Sequence, residues 1–461
     1  MVAGEEDDEG LARYIDFFTK PGELVMDLTS GSGTVAAVAK KRGRPCMAFD
    51  IDEEKVKLTL ERLSKITWAC DLPQVSEDEE EAEGEDPRPP TVPAVPVSQS
   101  EGSRDPDAGW NADWVDTTDV AVGEPLTAAD LFSGIGGFSK GFEMAGYRTL
   151  LAIDSDPKAA AIYRANFPET KLLVSPIESL SDDEILNALG GATVDVLFGS
   201  PPCQGFSSAG KRKPGDPRNQ LFRQFIRAAA LLRPHFVVME NVPQLASLQG
   251  GAFLREIVAS LERTGYPGAS VVKLEAAEYG VPQLRTRLII VASRQGLDNP
   301  YPLPMLPEKQ FVTVAEAIGD LEDRERDEAF GHVPPERAAE MVERLRVLEP
   351  GQRLYDSYNS SWQRLWTDRP ALTILAHNGS SFVHHSRPRT LSVREMARLQ
   401  GFPDDFDLSG PITTTMQAVA NAVPPPLAKQ IALALRPSIE RLRSQTAADH
   451  PTTDDAAGEG R

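Results

Sequence analysis

Three cysteines in 461 residues, Cys46, Cys70 and Cys203, with no pair at CxxC spacing, leave no basis for a disulfide framework or a thiolate zinc site. Long apolar runs are missing too. None approaches the roughly 20 residues that cross a bilayer, and the opening Met1-Val2-Ala3-Gly4-Glu5-Glu6-Asp7-Asp8 is the opposite of a signal peptide. These absences predict a cytoplasmic protein with no membrane partner and no metal centre. Positive charge is also short: 48 Lys and Arg stand against 69 Asp and Glu, a net charge of -21. That balance argues against a nucleic-acid partner, whose phosphates call for cations. The distribution removes the objection. Residues 71–124 hold 16 acids against 2 bases, whereas residues 125–445 hold 36 against 35, so the acidity belongs mostly to one segment.

What is present is the patterning of a soluble α/β protein, with 41% hydrophobic residues and a length sufficient for two or three domains. Residues 71–124 combine the acidic run Glu77 to Glu81 with Pro87, Pro89, Pro90, Pro93 and Pro96, and read as a disordered tether. On either side, short apolar runs alternate with helical periodicity, which predicts a mostly parallel sheet. The chain divides accordingly into a small unit (1–70), the linker (71–124), a large unit (125–445) and an acidic tail (446–461). A chain beginning near Gly123 is expected to keep the large unit's function.

Several local patterns carry chemistry. Ala128-Ala129-Asp130-Leu131-Phe132 reads as a strand, and Phe138 to Ala145 as a helix with Phe138, Phe142 and Ala145 on one face. Between them Ser133-Gly134-Ile135-Gly136-Gly137 opens onto a helix N-terminus, where backbone can approach a ligand and negative groups are favoured. Many α/β proteins turn through glycines, and this is not a GxGxxG fingerprint. The next strand, Thr149 to Ile153, ends at Asp154, which suits either a ribose contact or a helix cap. Gly199-Ser200-Pro201-Pro202-Cys203-Gln204-Gly205 presents one thiol after the apolar run Val194 to Phe198, and Glu240-Asn241-Val242 ends the following run. A solitary Cys is usually an inert small hydrophobe, but two prolines ahead of it and Gln-Gly behind it shape a loop.

From Asp130 to Leu433 the ordered motifs resemble those of the DNA cytosine-5 methyltransferases. Asp130 to Gly137 resembles motif I. Pro201-Pro202-Cys203-Gln204 resembles motif IV, Glu240-Asn241-Val242 motif VI, and Gln283-Leu284-Arg285-Thr286-Arg287 motif VIII. Arg389 to Glu395 with Leu399 to Pro403 resembles motif IX, and Gln417 to Pro425 motif X. The resemblance implies a Rossmann-like S-adenosylmethionine-dependent fold with a smaller target-recognition domain, acting on double-stranded DNA. It divides the large unit into a catalytic domain (125–292), a recognition domain (293–386) and a return to the catalytic domain (387–445). It also implies S-adenosylmethionine contacts from Phe132, Ser133, Gly134, Ile135, Gly136, Gly137, Asp154, Ser155, Pro201, Asn421 and Val423.

For chemistry, the resemblance assigns Cys203 as the nucleophile on cytosine carbon 6 and Glu240 as the partner of N3 and the exocyclic amine. Arg285 and Arg287, two apart on a strand, are expected on one face, holding the flipped nucleotide and its phosphates. Two departures stand out. Pro176 occupies the place of an adenine-contacting Asp, and Ser155 replaces the aromatic that often follows the ribose acid. In the recognition segment, Trp362 and Trp366 at i, i+4 predict one helix face, while Arg364, Arg369, His384 and His385 are available for phosphates or base edges.

The N-terminal unit has a second resemblance. Pro21 to Asp27, Ser30-Gly31-Ser32-Gly33-Thr34, Arg44, Phe49-Asp50-Ile51-Asp52 and Glu61-Arg62-Leu63 are similar to the cofactor-binding end of DNA amino-methyltransferases. The catalytic Asp-Pro-Pro-Tyr type tetrapeptide is missing, which implies a partial unit. A chain supplying that half, or a cognate restriction endonuclease, stands as a possible partner. Three other functions stay open: a tRNA cytosine-5 methyltransferase, a bifunctional amine and cytosine methylase, and a non-catalytic DNA-binding protein.

Overall fold

The computed structural model describes residues 25–27, 46–48, 112–202, 221–294, 297–355, 362–375 and 382–449. The chain forms two compact units, Met1–Thr91 and Val92–Arg461. In the first, strand β1 (Val25–Asp27) pairs in parallel with β2 (Cys46–Ala48). The remaining motif residues of that unit, Gly31, Ser32, Gly33, Arg44 and Asp50 among them, lie outside the described residues.

The second unit is built on a seven-stranded sheet. Its strands are β4 (Leu126–Leu131), β5 (Tyr147–Asp154), β6 (Lys171–Val174), β7 (Val196–Gly199), β8 (Phe236–Asn241), β9 (Ser270–Glu275) and β10 (Thr286–Ser293). The order is β6-β5-β4-β7-β8-β10-β9. The five strands from β6 to β8 run parallel, and β10 is antiparallel to both neighbours. This is the Rossmann-like sheet expected of an S-adenosylmethionine-dependent methyltransferase. Strand order reverses between β4 and β7, which opens a crevice at their C-terminal ends, the usual ligand position in such sheets.

Core packing explains why the sheet is covered on both faces. On one face lie helices α4 (Leu221–Leu232) and α5 (Ala252–Arg263), contributing Phe222, Phe225, Leu254, Ile257 and Leu261. On the other, α1 (Gly137–Met144) and the long α10 (Pro425–Asp449) bring Phe138, Phe142, Leu427, Ile431 and Leu435 against Phe198 and Val238. Phe138, Phe142 and Ala145 share this cluster, as their spacing predicts. Each fully buried Phe or Leu is worth about 1.5–3 kcal/mol. Gly141 fits against Ala428 and the Pro425 carbonyl. The buried Arg436 donates to the carbonyls of Ala145, Gly146 and Glu124, closing the C-terminal end of α1. A third cluster joins α2 (Pro157–Asn166), α6 (Val314–Ile318), α8 (Val393–Leu399) and α9 (Ile412–Asn421).

Two expectations are corrected here. The end of the 71–124 segment is not tether: β3 (Ala112–Val115) pairs in parallel with β11 (Asn299–Pro302), with Trp114 against Tyr301 at 6.1 Å. Thr117 Oγ1 then donates to Gln430 Oε1 at 2.6 Å. Edge pairing uses backbone groups, which an acidic composition does not reveal. Trp362 and Trp366 do not share a helix face either. Trp362 has φ 62 and precedes β12 (Gln363–Arg364), which pairs with β13 (Phe382–Val383).

Candidate active site

The glycine loop leaves the end of β4 through a run of left-handed backbone. Phe132 has φ 60 and Gly134 φ 55. Phe132 is held there by its amide, which donates to the Ile153 carbonyl at 2.8 Å. A side chain at Gly134 would meet nothing within 4 Å, so this glycine borders open space, whereas one at Gly137 would strike the Val423 carbonyl. The loop is thus closed on one side by the chain that enters α10. Gly136 is the N-cap of α1 and gives it no side-chain cap, so the helix end keeps amides for a ligand. Ile135 is buried.

Asp154 ends β5 and braces this loop. Its Oδ2 accepts from the Gly134 amide at 2.7 Å and its Oδ1 from the Asp156 amide at 2.8 Å. The cap of α2 is Asp156 itself. Burial pushes the Asp154 carboxyl up, partly offset by those amides. Two of its acceptor sites are used, and a carboxylate has about four. Ser133 Oγ is buried without a hydrogen-bond partner. Behind the loop, Asp130 Oδ2 accepts from Ser139 Oγ at 2.7 Å, and burial pushes this carboxyl well up. An orphaned hydroxyl, open space at a glycine and a carboxylate with spare lone pairs fit a polar ligand with hydroxyls, as S-adenosylmethionine is. Ser155 lies exposed beside Asp154.

The second half of the site is assembled at the neighbouring strand ends. Gly199 packs directly on the Leu131 carbonyl, bringing β7 close under the glycine loop. The chain turns at Pro201, whose carbonyl accepts from Asn241 Nδ2 at 2.9 Å. Asn241 thereby clamps the turn that leads to Cys203, a role its sequence position did not disclose. Cys203 lies outside the described residues. Glu240, at the same strand end, is buried, and its Oε1 lies 2.8 Å from Arg287 Nε. Burial lowers the Arg287 guanidinium from its usual value, and Glu240 opposes that shift.

Arg285 and Arg287 lie close enough for each charge to act on the same carboxylates, Glu240 and Glu275, but they take different direct partners. Arg285 precedes β10 and is 3% exposed. Its Nη2 donates to the Ala420 carbonyl at 2.8 Å, and its Nη1 to the Ile374 carbonyl at 3.3 Å. The Glu275 carboxylate receives the Arg285 amide at 2.5 Å and Thr286 Oγ1 at 2.7 Å, which fixes the turn between the arginines. Adjacent, Gln283 Nε2 donates to Gln400 Oε1 at 2.6 Å, and Gln400 Nε2 to the Ala422 carbonyl at 2.5 Å. Val423 is buried, while Asn421 is exposed at the end of α9.

In the segment proposed to read the target, the residues divide by burial. Arg364 is structural, donating to the carbonyls of His384 at 2.7 Å and Leu345 at 2.6 Å. His384 and His385 are buried and stacked at 4.4 Å. Burial, with His384 beside it, draws His385 down to about 4. Burial raises the Glu395 carboxyl, but the bidentate pair with Arg389 and the contact with His384 outweigh it and hold the group at about 2. Arg369 remains exposed, lying over Trp366 at 5.2 Å.

Among the described residues no helix is long and apolar enough to cross a membrane, and no acid, His or Cys cluster could hold a metal. Residues 9–61 match the N6/N4 DNA methylase family model. The Type II methyltransferase M1.HphI of Haemophilus parahaemolyticus is 39% identical over 325 residues, covering 67% of this chain and 86% of that protein. M.XorII of Xanthomonas oryzae pv. oryzae, also a Type II methyltransferase, is 34% identical over 367 residues, with coverages of 68% and 86%. Among solved structures, a putative DNA modification methyltransferase encoded within an E. coli prophage aligns with TM-score 0.59 and 25% identity, covering 68% of this chain and 99% of that one. Residues 126–436, more than half of the chain, match the family model of the C-5 cytosine-specific DNA methylases, and with the strand-end constellation of Asp154, Glu240 and Arg287 in place the chain belongs to that family.

Proposed function

We propose that Cys203, Glu240 and Arg287 carry the covalent chemistry of this DNA cytosine-5 methyltransferase. The observation that carries the assignment is the buried Glu240–Arg287 pair at the end of β8, beside the Asn241 clamp on the carbonyl two residues before Cys203. Carbon 5 of cytosine is a weak nucleophile until a thiolate adds to carbon 6. Cys203 Sγ forms that bond, and the ring electron pair moves toward N3 and carbon 5. Glu240 faces N3 and the exocyclic amine, accepting from the amine and delivering a proton to N3 where negative charge develops. Arg287 holds the Glu240 carboxylate in place. With carbon 5 carrying the methyl group that bound S-adenosylmethionine would supply, a base removes the carbon 5 proton, the carbon 5–carbon 6 double bond re-forms, the thiolate leaves and N3 returns its proton to Glu240. Both faces of the ring must be bare, so the cytosine has to leave the duplex stack.

S-adenosylmethionine, when bound, supplies an electrophilic methyl group. The loop Phe132 to Gly137, with Ser133 Oγ and Asp154, would hold it, Asp154 through ribose hydroxyls. Ser155, Pro201, Asn421 and Val423 would complete the pocket wall. Residues 125–292 and 387–445 form the catalytic domain in this reading, supported by α10 lying on α1, and 293–386 reads the target. The Type II relatives support a restriction-modification role, with a cognate endonuclease as partner. A DNA substrate calls for the compartment that holds the chromosome, the cytoplasm in a bacterium. Residues 1–70 act as a remnant or docking half with no amine chemistry of their own. Bisulfite sequencing of DNA from a host expressing the gene tests the reading: a protected cytosine in one sequence context is expected, and uniform conversion rejects it.

A further inference from the structure

We infer that Arg285 is a positioning residue that couples engagement of the target-recognition segment to the cofactor pocket; this rests on the reading of residues 293–386 as that segment. On one side, residues 371–374 of that segment run along 282–285. The Ala371 amide donates to the Pro282 carbonyl at 3.0 Å and the Leu284 amide to the Ala371 carbonyl at 2.8 Å. Thr373 Oγ1 donates to the Leu284 carbonyl at 2.7 Å, and the Ile374 amide to Gln283 Oε1 at 2.9 Å. On the other side, the Ala420–Ala422 turn takes Arg285 Nη2 at 2.8 and 3.4 Å. One residue further, the Val423 carbonyl sits against Gly137 of the glycine loop.

A single guanidinium therefore holds both segments, through Ile374 and through Ala420. Among the described residues it makes no ion pair within contact distance, and its buried Nε has no hydrogen-bond partner; carbonyl groups and Gln283 Oε1 take its Nη atoms, while the nearby Glu240 and Glu275 carboxylates favour its charge. A shift of residues 371–374 on duplex, or of residues 420–422 on cofactor, changes the partners left for the other. Only a planar fork with several donors spans carbonyls on two segments; an ammonium is a compact point charge. Coupling of this kind is reciprocal by thermodynamic necessity.

The test is calorimetric titration of the full-length protein with S-adenosylhomocysteine, with and without a duplex carrying the site mapped by bisulfite sequencing. In the wild type the duplex should tighten this ligand about fivefold or more, and the ligand should tighten the duplex by the same factor. Arg285→Lys should reduce the factor to near one while the ligand's affinity for the free enzyme stays within a few fold, a split that simple loss of fold does not produce. If Arg285→Lys fails to fold, Thr373→Val, which loosens only the recognition side, should lower the factor instead. A wild-type factor of one, or an unchanged factor in the folded variant, overturns the inference. Replacing exposed Arg344, Arg346 and Arg369 with Gln tests the recognition reading separately. Unchanged duplex affinity and salt dependence would sink that reading while leaving the coupling factor readable.

Discussion

The buried pair of Glu240 and Arg287 offers the most direct energetic test of the site. Their side chains are 9% and 10% exposed and their atoms 2.8 Å apart. At an effective dielectric of about 20 the direct attraction is about 6 kcal/mol, most of it offset by desolvation of both groups. Arg287→Met keeps the stem volume and leaves the carboxylate buried without its counterion, which should cost about 3–5 kcal/mol. Glu240→Gln strands the guanidinium in the same way. The double variant strands neither charge, so it should be more stable than either single one, within about 1–2 kcal/mol of the wild type. Urea unfolding followed by tryptophan fluorescence gives the cycle. All three variants should lose methyl transfer, so stability recovers in the double variant while activity does not. If the loss in the double variant equals the sum of the single losses, the two charges do not interact energetically, and Arg287 is not what fixes Glu240.

Cys203→Ala should abolish tritiated methyl incorporation into DNA while cofactor affinity stays within a few fold; substantial residual incorporation would exclude this thiol as the nucleophile. Asp154→Ala should weaken cofactor binding by about 1.5–3 kcal/mol in calorimetric titration. Because burial raises this carboxyl, cofactor affinity of the wild type should fall, as pH is lowered, before an ordinary Asp would protonate at about 3.9. Glu395 is depressed to about 2, so it stabilises the fold above the unfolded value of about 4.3, and that contribution is lost as pH falls through about 2. Glu395→Gln should accordingly cost about 3 kcal/mol near neutral pH, with the difference from wild type closing toward pH 2; a pH-independent difference would contradict the linkage. A chain shortened to begin at residue 108 should keep cytosine methylation and yield no methylated amines by nucleoside mass spectrometry. One beginning at Gly123 loses β3, uncovers Tyr301, and should melt at a lower temperature; equal melting temperatures would show that β3 contributes nothing.

The sequence by itself determined what depends on neighbours along the chain. Apolar runs, the glycines after Leu131 and the spacing of Phe138, Phe142 and Ala145 specify strand, loop and helix locally, because backbone sterics and side-chain periodicity act over a few residues. Motif order then singled out Glu240 and the loop from Phe132 to Gly137 as candidates. What only the tertiary structure decided are the partners brought in from far away. Arg285 and Arg287 are alike in type and two apart, yet one reaches the Ala420 carbonyl 135 positions on and the other meets Glu240 across the sheet. The segment Ala112–Val115 becomes a strand because β11 presents an edge to it, not because its own composition asks for one. Trp362 and Trp366 leave their expected helix face because the backbone there pairs with β13. In each case a hydrogen-bond partner distant in sequence outweighs the local preference, since buried polar groups must be satisfied wherever the fold places them.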